Sequence, residues 1–136
     1  MVDRTLVDSV RESMDAFLRS IFGDALTLWV LVTREGYEVF GNSNNEALHK
    51  QVVSATMSYV YTTAYKSFKK FLGSVHMYSV VVNMHYSEKD YSIAVMFHPL
   101  FFLVIMFDRK ALNKFTENEK QIERELSSHV SRLFGK

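Results

Sequence analysis

Apolar positions along the chain recur with two different periods, and the changes of period divide it into elements. Between Arg4 and Phe22, the residues Leu6, Val10, Met14, Phe17 and Ile21 fall three or four apart, with Val7, Leu18 and Phe22 widening the stripe. Asp8, Arg11, Glu12, Asp15 and Arg19 take the other side. That spacing predicts an amphipathic helix, closed by Gly23, which accepts the left-handed conformation of a helix end. From Leu26 to Thr33 the period drops to two, with Leu26, Leu28, Val30 and Val32 on one face and Trp29 and Leu31 on the other. Arg34-Glu35-Gly36 reads as a hairpin turn, Gly36 supplying positive φ, and Tyr37 to Gly41 as the returning strand. Asn42-Ser43-Asn44-Asn45 offers N-cap residues for a second helix from about Asn45 to Leu72, ended by Gly73.

Val75 to Tyr86 predicts a long third strand, Ser87 to Asp90 a polar turn, and Tyr91 to Phe97 a fourth strand. Leu100 to Phe107 predicts a fifth, after a His98-Pro99 turn. The last helix carries Leu112, Phe115, Ile122, Leu126, Val130 and Leu133 on its buried stripe, with Thr116 and Glu119 matching a capping box. The order is α-β-β-α-β-β-β-α.

The last two strands add a constraint. Tyr91, Ile93, Val95 and Phe97 alternate with Ala94 and Met96, and Phe101, Leu103, Ile105 and Phe107 alternate with Phe102, Val104 and Met106. A sheet with one wet face alternates apolar with polar. Here both faces are apolar, so both are covered, which predicts an α+β three-layer sandwich with two helices on one face and one on the other. The stretch from Tyr91 to Phe107 has no Asp, Glu, Lys or Arg, but His98-Pro99 interrupts it and it falls short of the ~18 apolar residues of a membrane span.

Two segments stand out. The second helix has no charged residue from Gln51 to Tyr65. On a helical wheel Val53, Met57, Val60, Ala64, Phe68 and Phe71 form the larger apolar sector, expected to face the sheet. Leu48, Val52, Ala55 and Tyr59 lie roughly opposite, joined by Thr62 and Thr63. That second sector is either the flank of a broad core stripe, with the Tyr59 hydroxyl tilted to water, or a protein interface. The third strand has Tyr78, Val80, Val82 and Met84 on one face and Met77, Ser79, Val81 and Asn83 on the other, without Pro, Lys or Glu. At a sheet edge it would be unprotected, and a two-fold copy of itself would pair it; in the centre of a sheet it needs no protection.

Composition narrows the field. The 136 residues fit one domain spanning 1–136, with a net charge of +1 that gives no nucleic-acid footprint. The absence of cysteine removes disulfides, thiolate metal sites and Cys nucleophiles, and suits a cytoplasmic setting. Met1-Val2-Asp3-Arg4 leads into the amphipathic stretch and not an apolar secretory core, so no signal peptide is expected. Val2 and the final Phe134-Gly135-Lys136 match no lipidation signal.

The element order, the Thr33-Arg34-Glu35-Gly36-Tyr37 hairpin with its acidic residue before Gly, and the long helix followed by three strands resemble the roadblock / dynein light-chain family over nearly the whole chain. The resemblance implies a five-stranded sheet with the third strand at an edge. It implies a homodimer, or a pairing with a related roadblock chain, made by that strand (Met77, Tyr78, Ser79, Val80, Val81 and Val82) and by antiparallel second helices (Leu48, Val52, Ala55, Tyr59, Thr62 and Thr63). It further implies a non-enzymatic scaffold for a small Ras-like GTPase or a motor or trafficking complex, touched through His49, Lys50, Lys66, Lys69 and Lys70. The long first and last helices depart from a minimal family domain.

The chemistry of catalysis is not legible. Neither G-x-x-x-x-G-K-[ST] nor G-x-G-x-x-G occurs, so no phosphate cradle is expected. The histidines at 49, 76, 85, 98 and 129 lack ligand spacing, and His76 and His85 are expected on opposite faces of one strand. Ser54 and Ser58 read as polar-side residues of a helix, without a nucleophile-elbow context. The lysines near Phe71 also complement a helix dipole. No cofactor, metal, nucleic acid or membrane insertion is expected. Two rival classes remain: a GAF- or PAS-like small-molecule sensor with an aromatic pocket, and a longin- or profilin-like trafficking or actin-binding domain.

Overall fold

The computed structural model describes residues 4–43 and 50–134. Helix α1 spans Arg4–Phe22 and passes through a 3-10 turn at Gly23–Ala25 into β1, Leu26–Thr33. Strand β2 is Glu38–Ser43, helix α2 Lys50–Leu72, β3 Ser79–Tyr86, β4 Lys89–Phe97 and β5 Phe101–Asp108. A second 3-10 turn at Arg109–Ala111 leads into α3, Leu112–Phe134. The sheet order is β2-β1-β5-β4-β3 with every neighbouring pair antiparallel, so β3 is an edge strand. No described helix is long and apolar enough to cross a membrane.

Both sheet faces are covered, for the reason the strand pattern gives. Trp29, Leu31, Ala94, Met96, Leu103, Ile105 and Phe107 pack with Val10, Met14, Leu18 and Phe22 of α1 and with Phe115, Ile122 and Leu126 of α3. Leu28, Val30, Val32, Ile93, Val95, Val104 and Met106 pack on the opposite side with Met57 and Tyr61 of α2. The result is the expected three-layer sandwich. Leu26 is an exception to its strand's parity, because a register irregularity between Leu26 and Leu28 turns it to the α1–α3 layer.

Several boundaries move. Asn42 and Ser43 extend β2 and do not cap α2; Asn44 and Asn45 lie outside the described residues, as do Leu48 and His49. Val75 to Tyr78 precedes β3, so His76 is not on the strand, and Met77 packs on the α2 side with Val80 although its parity matched Val81. Thr116 and Glu119 sit inside α3 and form no capping box. The preceding 3-10 turn is capped instead by the Asp108 carboxylate, which accepts from the Lys110 N–H at 3.0 Å. The β3–β4 turn is tighter than expected: Tyr86 pairs with Lys89, leaving Ser87 and Glu88 both left-handed, φ 53° and 68°. That is the backbone of a two-residue hairpin loop, held here without glycine.

The wheel of α2 is rotated from the sequence reading. Ser54, Met57, Ser58 and Tyr61 are the buried residues, so the serines face the core and not solvent. Each buried hydroxyl is satisfied within the helix, Ser54 Oγ donating to the Lys50 carbonyl at 2.7 Å and Ser58 Oγ to the Ser54 carbonyl at 2.8 Å. Back-bonding of this kind lets a small polar residue lie under a helix without an orphaned group. Small residues are needed at this point because the β1–β2 turn comes close: a Cβ on Gly36 would lie 3.4 Å from the Ala55 Cα and 3.7 Å from the Ser58 Cβ. Phe68 and Phe71, expected in the core, are exposed.

Candidate interaction surface

Helix α2 crosses the sheet from one edge to the other, and its contacts occur in order. Lys50 at its start pairs with Glu38 of β2 at 3.3 Å. Ala55 and Ser58 lie against Gly36 between β1 and β2. Tyr61 reaches Phe102 of β5 and Phe97 of β4, with ring centroids 5.0 and 5.6 Å away, and donates its hydroxyl to the Met77 carbonyl just before β3. Burial pushes the Tyr61 phenol up to about 12, so it remains a donor at any physiological pH. Beyond Tyr65 the helix outruns the sheet. At 100° per residue Phe68 and Leu72 share the sector of Met57 and Tyr61, yet Phe68, Phe71 and Leu72 are 50, 80 and 68 % exposed.

The free edge of β3 lies on this side. Ser79 to Val82 and Met84 are half-buried, and β3 pairs only with β4 among the described strands. Val80, Val82 and Met84 contribute to the α2 layer and Val81 to the α1–α3 layer. Ser79 is tied to α3, its hydroxyl donating to Glu119 at 2.8 Å. Tyr78, immediately before the strand, is exposed. No Lys, Pro or bulge guards this edge, the usual defences of an exposed strand.

The sector of α2 that faces away from the sheet holds Val52, Tyr59 and Thr63, all exposed, with exposed Ala55 beside the Gly36 turn and half-buried Thr62 at its borders. Tyr59 is 72 % and Val52 62 % exposed. The cations expected to touch a partner do not form one group. Lys66, Lys69 and Lys70 are exposed around the apolar tip, with Lys70 Nζ 5.8 Å from the Phe71 ring centroid and Lys69 Nζ 5.8 Å from that of Tyr65. Lys50 is about 24 Å away along the axis, at 1.5 Å per residue. The sequence spacing does not mark the tip as exposed surface, because a wheel gives the side a residue faces and not where the sheet beneath it stops.

The histidines occupy separate places. His85 on β3 pairs with Asp90 at 2.8 Å in the open. His98 accepts from the Leu100 N–H at 3.1 Å within its turn. His129, buried on α3, has its pKa lowered by burial, with Glu125 pulling it up and Arg132 pushing it down. Its contacts fit a neutral ring, Arg132 donating to Nδ1 at 3.4 Å and Nε2 lying 3.3 Å from Glu125. No group of His, Asp and Glu suited to a metal ion occurs among the described residues.

An open five-stranded antiparallel sheet with α1 and α3 on one face and a long oblique α2 on the other defines a roadblock/longin-like α+β sandwich. Solved structures share it. MglB in a tetrameric arrangement superposes with a TM-score of 0.69 at 17 % identity, over 91 % of this chain and 92 % of that one. The gliding protein MglB from Thermus thermophilus gives 0.64 at 18 % identity, over 92 % and 88 %. A Roadblock/LC7 domain from Streptomyces avermitilis gives 0.58 at 14 %, over 79 % and 92 %. No family model matches the sequence, and no curated protein matches it by sequence. The chain therefore has a roadblock/LC7-type fold.

Proposed function

We propose that the chain, acting as one domain, is a non-enzymatic scaffold that pairs with a second copy or a related roadblock chain and presents the paired α2 helices to a small Ras-like GTPase or a motor or trafficking complex. The observation that carries this is the coincidence, on one side of the molecule, of an unguarded edge strand and an α2 tip that runs past it. Pairing β3 with a copy of itself would satisfy its free backbone groups and continue the sheet. The tip residues Phe68, Phe71 and Leu72 would then lie over the added half of the sheet. They join Val52, Ala55, Tyr59, Thr62 and Thr63 of α2 and the segment Met77 to Val82 in the proposed contact. Antiparallel helices would also bring Lys50 of one protomer toward Lys66, Lys69 and Lys70 of the other, giving a basic rim for the partner.

The GTPase reading rests on the family resemblance and on this layout. Affinity capture on the immobilised chain, run with excess GTP analogue or GDP, tests it. Recovery of a Ras-like GTPase that depends on the nucleotide, and is lost on replacing Lys66, Lys69 and Lys70 by Glu, is the expected result. Recovery of none in either nucleotide state would overturn the GTPase assignment while leaving the pairing intact.

A further inference from the structure

One end of the sheet gathers the β1–β2 hairpin, the β4–β5 turn and the connection from α2 to β3 around a small cavity. Its volume is about 130 Å³, and Arg34, Tyr61, Tyr65, His76, Met77 and Phe97 are among the residues lining it. Arg34 is held before any ligand arrives. Its guanidinium carbon lies 4.7 Å from the Phe97 ring centroid and 5.2 Å from that of Phe102, and Nη1 donates to the Pro99 carbonyl at 3.1 Å. Phe97 is fixed in turn by stacking on Tyr61, with an interplanar angle of 10°.

A guanidinium has five N–H donors in a rigid fork, and the Pro99 bond uses one. Arg34 makes no ion pair among the described residues, and the cavity lining contains no carboxylate. A planar cation stacked on aromatic faces, with donors free and a dry wall beside it, suits bidentate recognition of an oxyanion. The cavity is far smaller than the ~300–1,000 Å³ of small-molecule sites, and fits one short acidic side chain. Exposed Leu100 directly follows Pro99, whose carbonyl holds Arg34, and offers an apolar contact to a residue neighbouring such a side chain.

We propose that this cavity receives a glutamate or aspartate side chain from an extended segment of a partner protein, with Arg34 as the anchoring cation and His76, which carries at least one ring N–H, as a second donor. Preformed geometry reduces the ordering cost of binding. Arg34, His76 and Phe97 are outside the surface assigned to self-association, and Met77 is the one lining residue shared with it, so variants at Arg34 and Phe97 test the cavity without altering that surface.

The test uses the full chain and follows the backbone amide resonances of residue 34, His76 and Met77 by NMR against N-acetyl-glutamate N-methylamide, its glutamine analogue and inorganic phosphate. The expected result is a saturable shift with the glutamate probe at about 10 mM or below and none with the glutamine analogue. R34K should weaken it roughly tenfold by losing the fork, and F97L, which keeps the charge but removes one stacking ring, should weaken it several-fold. Circular dichroism confirms that each variant folds. Equal shifts with the glutamine analogue, no saturable shift, or undiminished binding by folded R34K would overturn the proposal. Phosphate binding more tightly than the glutamate probe would overturn the carboxylate assignment.

Discussion

The indole N–H of Trp29 donates to Oδ1 of Asp15 at 2.8 Å, joining the centre of β1 to the middle of α1. Asn42 of β2 donates to the same oxygen at 3.0 Å, and Arg19 Nε to the other at 2.8 Å. One carboxylate therefore satisfies a fully buried indole and fixes α1 over the β1–β2 edge of the sheet. Replacing Asp15 by Leu would leave Trp29 and Asn42 without their acceptor, at a cost of about 2 kcal/mol. Urea unfolding followed by tryptophan emission measures this, and a loss below about 0.5 kcal/mol would show that water replaces the carboxylate.

The same site gives a pH dependence. Burial pulls the Asp15 carboxyl up, but the hydrogen bonds from Trp29, Arg19 and Asn42 and the Arg19 charge outweigh it and hold the pKa below the ordinary 3.8. The unfolded state then binds the proton more readily, so the contribution is complete above that ordinary value and is lost as pH falls through the lower folded one. His129 has the same sign higher up. Its lowered pKa means stability falls as pH drops below the ordinary 6.5 toward the folded value. His129→Gln should flatten the stability profile in that upper window and leave the acid limb, where Asp15 titrates, in place.

Gly41 pairs with Val30 at the close approach of β2 to β1. A Cβ there would fall 2.3 Å from the Trp29 carbonyl oxygen and 2.8 Å from the Val30 Cα. These are backbone atoms of the central layer and cannot yield. Gly41→Ala should cost about 3 kcal/mol or more, while Gly23→Ala, which meets nothing within 4 Å and only strains a left-handed φ of 56°, should cost about 1–2 kcal/mol. Comparable losses in chemical denaturation would contradict the packing at Gly41.

The β3–β4 loop should be improvable. Ser87 and Glu88 both carry positive φ, where L side chains are disfavoured by about 1–2 kcal/mol per residue. Substituting Asn-Gly for the pair supplies residues that accept this loop geometry and should stabilise the chain by about 1 kcal/mol. An unchanged melting temperature would mean that the loop adopts another conformation.

Layers and element order were legible because they follow from local pattern: the two-period alternation of Phe101 to Phe107 requires helices on both faces, and the α1 stripe requires burial on one side. What was not legible depends on distances between elements. Ser54 and Ser58 read as polar until the Gly36 turn is seen pressing on them, and their hydroxyls turn back to the helix carbonyls. Phe68 and Phe71 read as core because nothing in the spacing records that the sheet ends before the helix does. Asp15 read as one of several solvent-side charges, since its partners Trp29 and Asn42 are distant in sequence. The edge position of β3 came from the family resemblance, and the strand order now supplies it directly.

The central claim is that β3 and α2 form one self-association surface. Phe71 and Tyr59 are exposed, so Phe71→Glu and Tyr59→Glu should leave the helical signal nearly unchanged. Sedimentation equilibrium over a dilution series from high to low micromolar decides the matter most directly. The account expects the unaltered chain to sediment at twice its 15.8 kDa mass, and both variants to shift to that single mass. A chain that remains at 15.8 kDa throughout, or variants that stay paired, would contradict it.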